Sequence, residues 1–226
     1  MICPRVYRTP LLIVALVLPA ITLCSRPFPD DPALTMTMLS ILAVNNAGST
    51  SASPKRIFVS QAQPGGSMGG ITGADTLCNS DANRPDTTVS YQALLVDNVN
   101  RRACVNANCS PAAAGDGLNW VFAASTTYQR VESSVTTTLF TTGSNRIPTF
   151  PFQANGFSSN GGTEYWTGLD VDWSIAMAGP ELDCADWSGG TNGQAGIGAA
   201  ATTDAISFTT PLCAIGGTYH LVCVEQ

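Results

Sequence analysis

Gly69-Gly70-Ile71-Thr72-Gly73-Ala74-Asp75-Thr76-Leu77-Cys78-Asn79-Ser80-Asp81-Ala82-Asn83 carries the best helix signal in the chain. From Ile71 to Asn83 the spacing predicts a helix that turns Leu77 and Cys78 inward. Gly65, Gly66, Gly69, Gly70 and Gly73 suit a loop that needs positive φ ahead of a helix, because glycine has no Cβ to clash there. A phosphate cradle uses similar glycines, but no Gly-Lys-Ser/Thr follows, so that chemistry is set aside.

Outward from this block the texture is β. Arg56–Gln61, Tyr91–Val96, Trp120–Ala123 and Tyr219–Val224 are short apolar and aromatic runs bounded by turn residues, and each is a predicted strand. Every glycine except Gly48 lies beyond Lys55, which argues for many turns rather than long helices. No repeat of fixed period is visible. Residues 55–226 are therefore expected to form one α+β domain, mostly β and loop.

The front end reads differently. Arg5 and Arg8 precede the apolar run Leu11–Leu18, which is too short to span a bilayer and has the layout of a secretory signal peptide over 1–23. Cys24 follows at the place where bacterial lipoproteins are cleaved and lipidated, although Leu23 is larger than the small residue usual there. Residues 24–54 are expected to be a flexible tether on lipidated Cys24. Three prolines hold its first part extended, and Ala33–Val44 is an apolar run expected as a short helix on the domain or the membrane interface. Asn45–Pro54 has the small polar composition of a linker.

Composition narrows the chemistry. Of 226 residues, 44% are hydrophobic and only 12% are charged, so a core can form beneath a surface of neutral polar groups. A net charge of −6 argues against a phosphate-backbone partner, which needs a basic stripe. A single histidine, His220, removes multi-histidine metal sites, and its place in an apparent strand beside Tyr219 gives it a structural role. No Gly-x-Ser-x-Gly or activated-cysteine context is present. With Cys3 removed in the signal peptide and Cys24 lipidated, six of the 8 cysteines remain. An even number outside the reducing cytosol fits a disulfide framework, with 15 pairings open to sequence alone.

Two blocks carry a resemblance. Gly69-Gly70-Ile71-Thr72-Gly73-Ala74-Asp75 through Cys78 is the first. Tyr165-Trp166-Thr167-Gly168-Leu169-Asp170, Cys184-Ala185-Asp186-Trp187, Gly193-Gln194-Ala195, Cys213 and Tyr219–Glu225 make the second. In this order they resemble the endostatin module that ends collagens XV and XVIII, whose fold is C-type-lectin-like. More closely, residues 55–226 resemble a domain of unknown function abundant in leptospiral surface lipoproteins, through Lys55-Arg56-Ile57-Phe58-Val59, Asn100-Arg101-Arg102-Ala103-Cys104, Asn119-Trp120-Val121 and Cys184-x-x-Trp187. The resemblance implies nested disulfides, Cys78 with Cys223 and Cys184 with Cys213, leaving Cys104 and Cys109 to close a local loop. Closing the long outer loop is worth roughly 4–5 kcal/mol in a chain-entropy treatment. The zinc histidines and heparin arginines of endostatin-type modules have no counterpart here.

Asp170, Asp172, Asp183 and Asp186, with Glu181, form the densest carboxylate group, and Trp166, Trp173 and Trp187 lie among them. Hard oxygens in a loop suit Ca²⁺, so this is the candidate ligand or calcium loop, with Trp166 and Trp187 beside it. An EF-hand count from Asp170 fails at its sixth position, where Ile175 stands in place of glycine, and sugar-binding lectin triplets are absent. Gly193–Gly198 has no strand before it and is not a dinucleotide loop. No cofactor is expected beyond that candidate Ca²⁺. The expectation is an exported, lipid-anchored protein of the outer membrane or cell surface. It would act as a non-enzymatic binding module for host extracellular-matrix or plasma proteins, without nucleic acid. A structural coat lipoprotein and a glycan hydrolase using the acidic loop are the alternatives.

Overall fold

The computed structural model describes residues 53–226 apart from 64, 98, 155, 178–180 and 215–217. The expected signal peptide at 1–23, Cys24 with its expected lipidation and the apolar run Ala33–Val44 lie outside the described residues, as does nearly all of the expected 24–54 tether. The described part is mostly β-sheet and loop with few helices and three disulfides.

Strand β1 (Lys55–Val59) opens the domain with Ile57 and Phe58 buried on opposite faces, as period-two side chains require. The helix α1 (Gly70–Ser80) and strand β2 (Tyr91–Ala93) follow. A hairpin of β3 (Thr127–Glu132) and β4 (Val135–Thr141) completes one side. Then come β5 (Glu164–Trp166), β6 (Ala195–Ile197), β7 (Tyr219–His220) and β8 (Val222–Glu225).

Two sheets result: β2-β8-β1-β3-β4, and β6-β5-β7. The β1–β3 and β5–β7 pairs are parallel and the rest antiparallel. Ile57, Val222 and Val224 face one apolar cluster with the aromatic chain Trp120, Phe122, Tyr128, Phe140 and Trp173. Phe58, Tyr91, Ala93 and Cys223 face the other, beneath α1. Tyr165 and Trp166 split between the same two clusters, so each short strand contributes to both.

The helix starts one residue before the predicted Ile71 and stops three before Asn83. Gly69 and Gly70 take φ of 79° and 75°, the positive values expected of them. Gly66 and Gly73 are glycine for a different reason, which is room. A Cβ on Gly73 would stand 1.8 Å from the Met68 carbonyl oxygen, and one on Gly66 would stand 2.2 Å from Cys184 Sγ. At the other end Asp81 turns extended, and its carboxylate accepts the amides of Gln61 and Asn83. The Arg84 guanidinium donates to the Asn79 carbonyl at 2.6 Å, capping an orphan carbonyl at the helix's negative end, and also to the Val89 carbonyl in the following loop.

The polar residues of α1 act as a neighbour for the edge strand β2. Asn79 accepts the Tyr91 amide (2.9 Å) and donates to the Tyr91 carbonyl (2.7 Å), while Asp75 Oδ1 accepts the Ala93 amide (2.8 Å). An edge that would otherwise be open is thereby satisfied. Asp75 also takes a bidentate ion pair from Arg101, 2.9 and 2.7 Å, and that guanidinium donates further to the carbonyls of Ala93 and Asn119. Arg101 is only 2% exposed. One ion pair thus ties the helix block at 69–78 to the Asn100–Cys104 block.

Four corrections to the predicted strands have physical causes. Trp120–Ala123 is not a strand: side chains take the ladder's place, with the Ala123 amide donating to Tyr128 Oη and its carbonyl accepting from Thr142 Oγ1. Tyr91–Val96 pairs only as far as Ala93, after which Val96 donates to Thr167. Tyr219–Val224 is two strands in different sheets, divided at Leu221. The β3–β4 hairpin was not predicted. Its turn residues Ser133 and Ser134 both have positive φ, 48° and 68°, in a two-residue turn that Asn-Gly usually marks.

Candidate functional site

Glu181, Asp183 and Asp186 converge, with one carboxylate oxygen from each within 4.8 Å of the other two. The local cause is a single turn, Cys184–Trp187, in which all four residues have positive φ: 54°, 52°, 54° and 58°. Left-handed conformation costs an L-residue roughly 1–2 kcal/mol, so tertiary bonds must hold this turn. The Cys184–Cys213 disulfide fixes its first residue. Trp187 fixes its last, being fully buried with its indole N–H on the Val96 carbonyl at 2.9 Å. Asp183 and Asp186, three apart across one turn, are thus placed together.

Asp183 is 3% exposed, and its Oδ2 has no hydrogen-bond partner among the described residues. Burial pushes its carboxyl up to about 6, and the neighbouring charges of Asp186 and Glu181 push the same way. Asp186 is exposed, and the group lines a cavity of about 310 Å³ together with Gly190, Thr191 and Asn192.

Asp170 and Asp172 do not join this group. Asp172 Oδ1 accepts from the Ser174 amide and hydroxyl, and Asp170 Oδ1 accepts from the Val171 amide, so both stabilise their own loop. Trp166 and Trp187 offer no ligand surface, since both are fully buried and pack edge-on at 5.9 Å. The five-acid loop read from sequence is therefore two separate features, and its tryptophans are core.

The cysteines pair as Cys78–Cys223, Cys104–Cys109 and Cys184–Cys213. The first joins α1 to β8, the second closes a short loop, and the third pins the acidic turn.

A second concave surface was not foreseen. An open groove of about 730 Å³ runs beside β1 and the β3–β4 turn, lined by Asn83, Ser134, Thr136, Asn160, Thr163 and His220 among others. Glu132 shapes its wall by accepting from Ser158 Oγ and the Ser159 amide. His220 Nδ1 lies 2.7 Å from the Ser60 carbonyl, which makes it the protonated nitrogen. The Ser60 hydroxyl donates to the Gln61 carbonyl and accepts the Leu221 amide. Imidazole and hydroxyl therefore each serve backbone rather than one another. No sequence signal marked this groove, because its residues come from segments between Arg56 and His220 that only the sheet order brings together.

A mostly β, disulfide-stapled module with an open groove of mixed polarity and one acidic turn is the class these features define. Residues 61–204 match the family described as "Protein of unknown function (DUF1554)", and the chain belongs to that family. The match covers α1, Arg101 and the acidic turn but ends before Cys213 and β8, which the sheet and two disulfides require. No match is found among curated proteins.

Proposed function

We propose that this chain is an exported surface protein, lipid-anchored at Cys24 and related to leptospiral lipoproteins. In this reading residues 55–226 form an endostatin-like, C-type-lectin-like module that binds a host extracellular-matrix or plasma protein without catalysing a reaction. One observation carries it: the open 730 Å³ groove presents hydroxyls and amides beside the charged Arg56 and Glu132 and the apolar Val59 and Val131, and its histidine is committed to a backbone carbonyl. Such a mixed surface offers hydrogen bonds, charge and apolar contact for recognition of a protein partner. Exposed apolar side chains on loops, among them Val99, Met177, Phe208 and Leu212, add contact area.

The test is an array of matrix proteins, plasma proteins and glycans probed with the oxidised chain. Thr136→Arg, which places a bulky charge in the groove, serves as the variant. Saturable binding weakened at least about tenfold by the variant supports the reading. A blank array, or binding indifferent to Thr136→Arg, overturns it. Retention of Cys24→Ser in the membrane fraction would remove the lipid anchor from the proposal.

A further inference from the structure

We propose that Glu181, Asp183 and Asp186 form a divalent-cation site of the hard, oxygen-liganded kind that takes Ca²⁺. The geometry comes first. Two oxygens on one Ca²⁺, each 2.3–2.6 Å from it, lie at most about 5 Å apart. The three carboxylates meet that limit, with all ligand atoms within 4.8 Å of one another.

The second observation is the buried Asp183 carboxylate. Other acids of the domain are satisfied by protein donors: Asp75 by Arg101, Asp97 by Asn100 and Arg101, Asp116 by the amides of Val105 and Ala113. The Asp183 carboxylate, which the Asp186 amide also bonds, converges with those of Glu181 and Asp186, and its Oδ2 is buried without a partner among the described residues. Neither Asp183 nor Asp186 makes an ion pair with a described basic residue. A buried carboxylate oxygen without a donor is unfavourable, and a cation at this point offsets both its desolvation and the mutual repulsion.

The surroundings fit the same ligand. The cavity of about 310 Å³ has room for the waters that fill a Ca²⁺ shell. No histidine is present and Cys184 is disulfide-bonded, which disfavours zinc. The left-handed turn and its disulfide hold Asp183 and Asp186 before any cation arrives, so the site needs no rearrangement of its backbone. With three carboxylates and an open side, the dissociation constant belongs in the range of extracellular modules, on the order of 10⁻⁴–10⁻³ M. A cation here holds whether or not the groove binds a macromolecule.

Tb³⁺ luminescence on the full chain reads this directly, because Trp187 lies next to the turn and sensitises a bound lanthanide. The wild type should give saturable Tb³⁺ emission that Ca²⁺ displaces, and Ca²⁺ alone should raise the melting temperature. Asp186→Asn, at an exposed position that leaves the fold intact, should weaken binding at least about tenfold. Asp183→Asn should do the same, and Asp170→Asn should leave binding unchanged. Absence of displaceable emission up to about 10 mM Ca²⁺ overturns the proposal, and so does undiminished binding by Asp186→Asn.

Discussion

Replacing Arg101 by methionine should be the most damaging single change among the surface-distant polar residues. The methionine keeps much of the aliphatic bulk and removes four hydrogen bonds: two to Asp75, one to the Ala93 carbonyl and one to the Asn119 carbonyl. Removing one partner of a buried, hydrogen-bonded ion pair costs about 3–5 kcal/mol. The Asp75 side chain keeps 21% exposure and the Ala93 amide, so water recovers part of its loss and the lower end applies, about 3 kcal/mol. For a domain of this size that lowers the melting temperature by roughly 6–12 °C. Urea denaturation of oxidised wild type, Arg101→Met, Asp75→Asn and the double variant measures it. The double variant should cost markedly less than the sum of the singles, because each single strands the other's partner. A loss below about 1 kcal/mol for Arg101→Met, or simple additivity, would refute the view that this pair locks α1 to β2.

Stability should also depend on pH through Asp183. Its folded value near 6 lies above the ordinary 3.8, so its contribution is complete below about 3.8 and is lost as pH rises through 6. With chelator present, wild type should lose on the order of 2–3 kcal/mol relative to Asp183→Asn between pH 4 and pH 7; a difference constant with pH counts against the buried-carboxylate assignment. Cys78→Ser with Cys223→Ser opens a loop of 145 residues and should cost about 4 kcal/mol, read by denaturant titration under non-reducing conditions. Gly73→Ala should destabilise by about 1–3 kcal/mol despite alanine's better helix propensity, because its Cβ meets the Met68 carbonyl, and a stabilised variant would contradict that contact.

Local pattern revealed the parts of the fold that depend on local pattern. The glycines and apolar spacing located α1 to within three residues, and the predicted strand Arg56–Gln61 located β1 to within two. The β3–β4 hairpin was missed although Thr127–Thr141 is rich in Thr and Val, because its Ser-Ser turn carries no standard signal. Trp120–Ala123 looked like a strand because buried aromatic runs and strands share a composition. The acidic site was half legible. The acids were visible, but their division into two groups follows from a left-handed turn made by Cys, Ala, Asp and Trp, of which only Asp is a type with any leaning to positive φ. The groove and the Asp75–Arg101 pair depend on sheet order and on contacts far apart in the chain, which no window of sequence contains.

The position of β8 has a consequence for how the domain holds together. Val222–Glu225 follow β1 and β2 in the chain yet lie between them in the larger sheet. Without them β1 and β2 have no common neighbour and Cys78 has no Cys223 to join. Two strands and the long-range disulfide thus depend on one four-residue segment, so deleting Val222–Glu225 should unfold the domain rather than trim its edge.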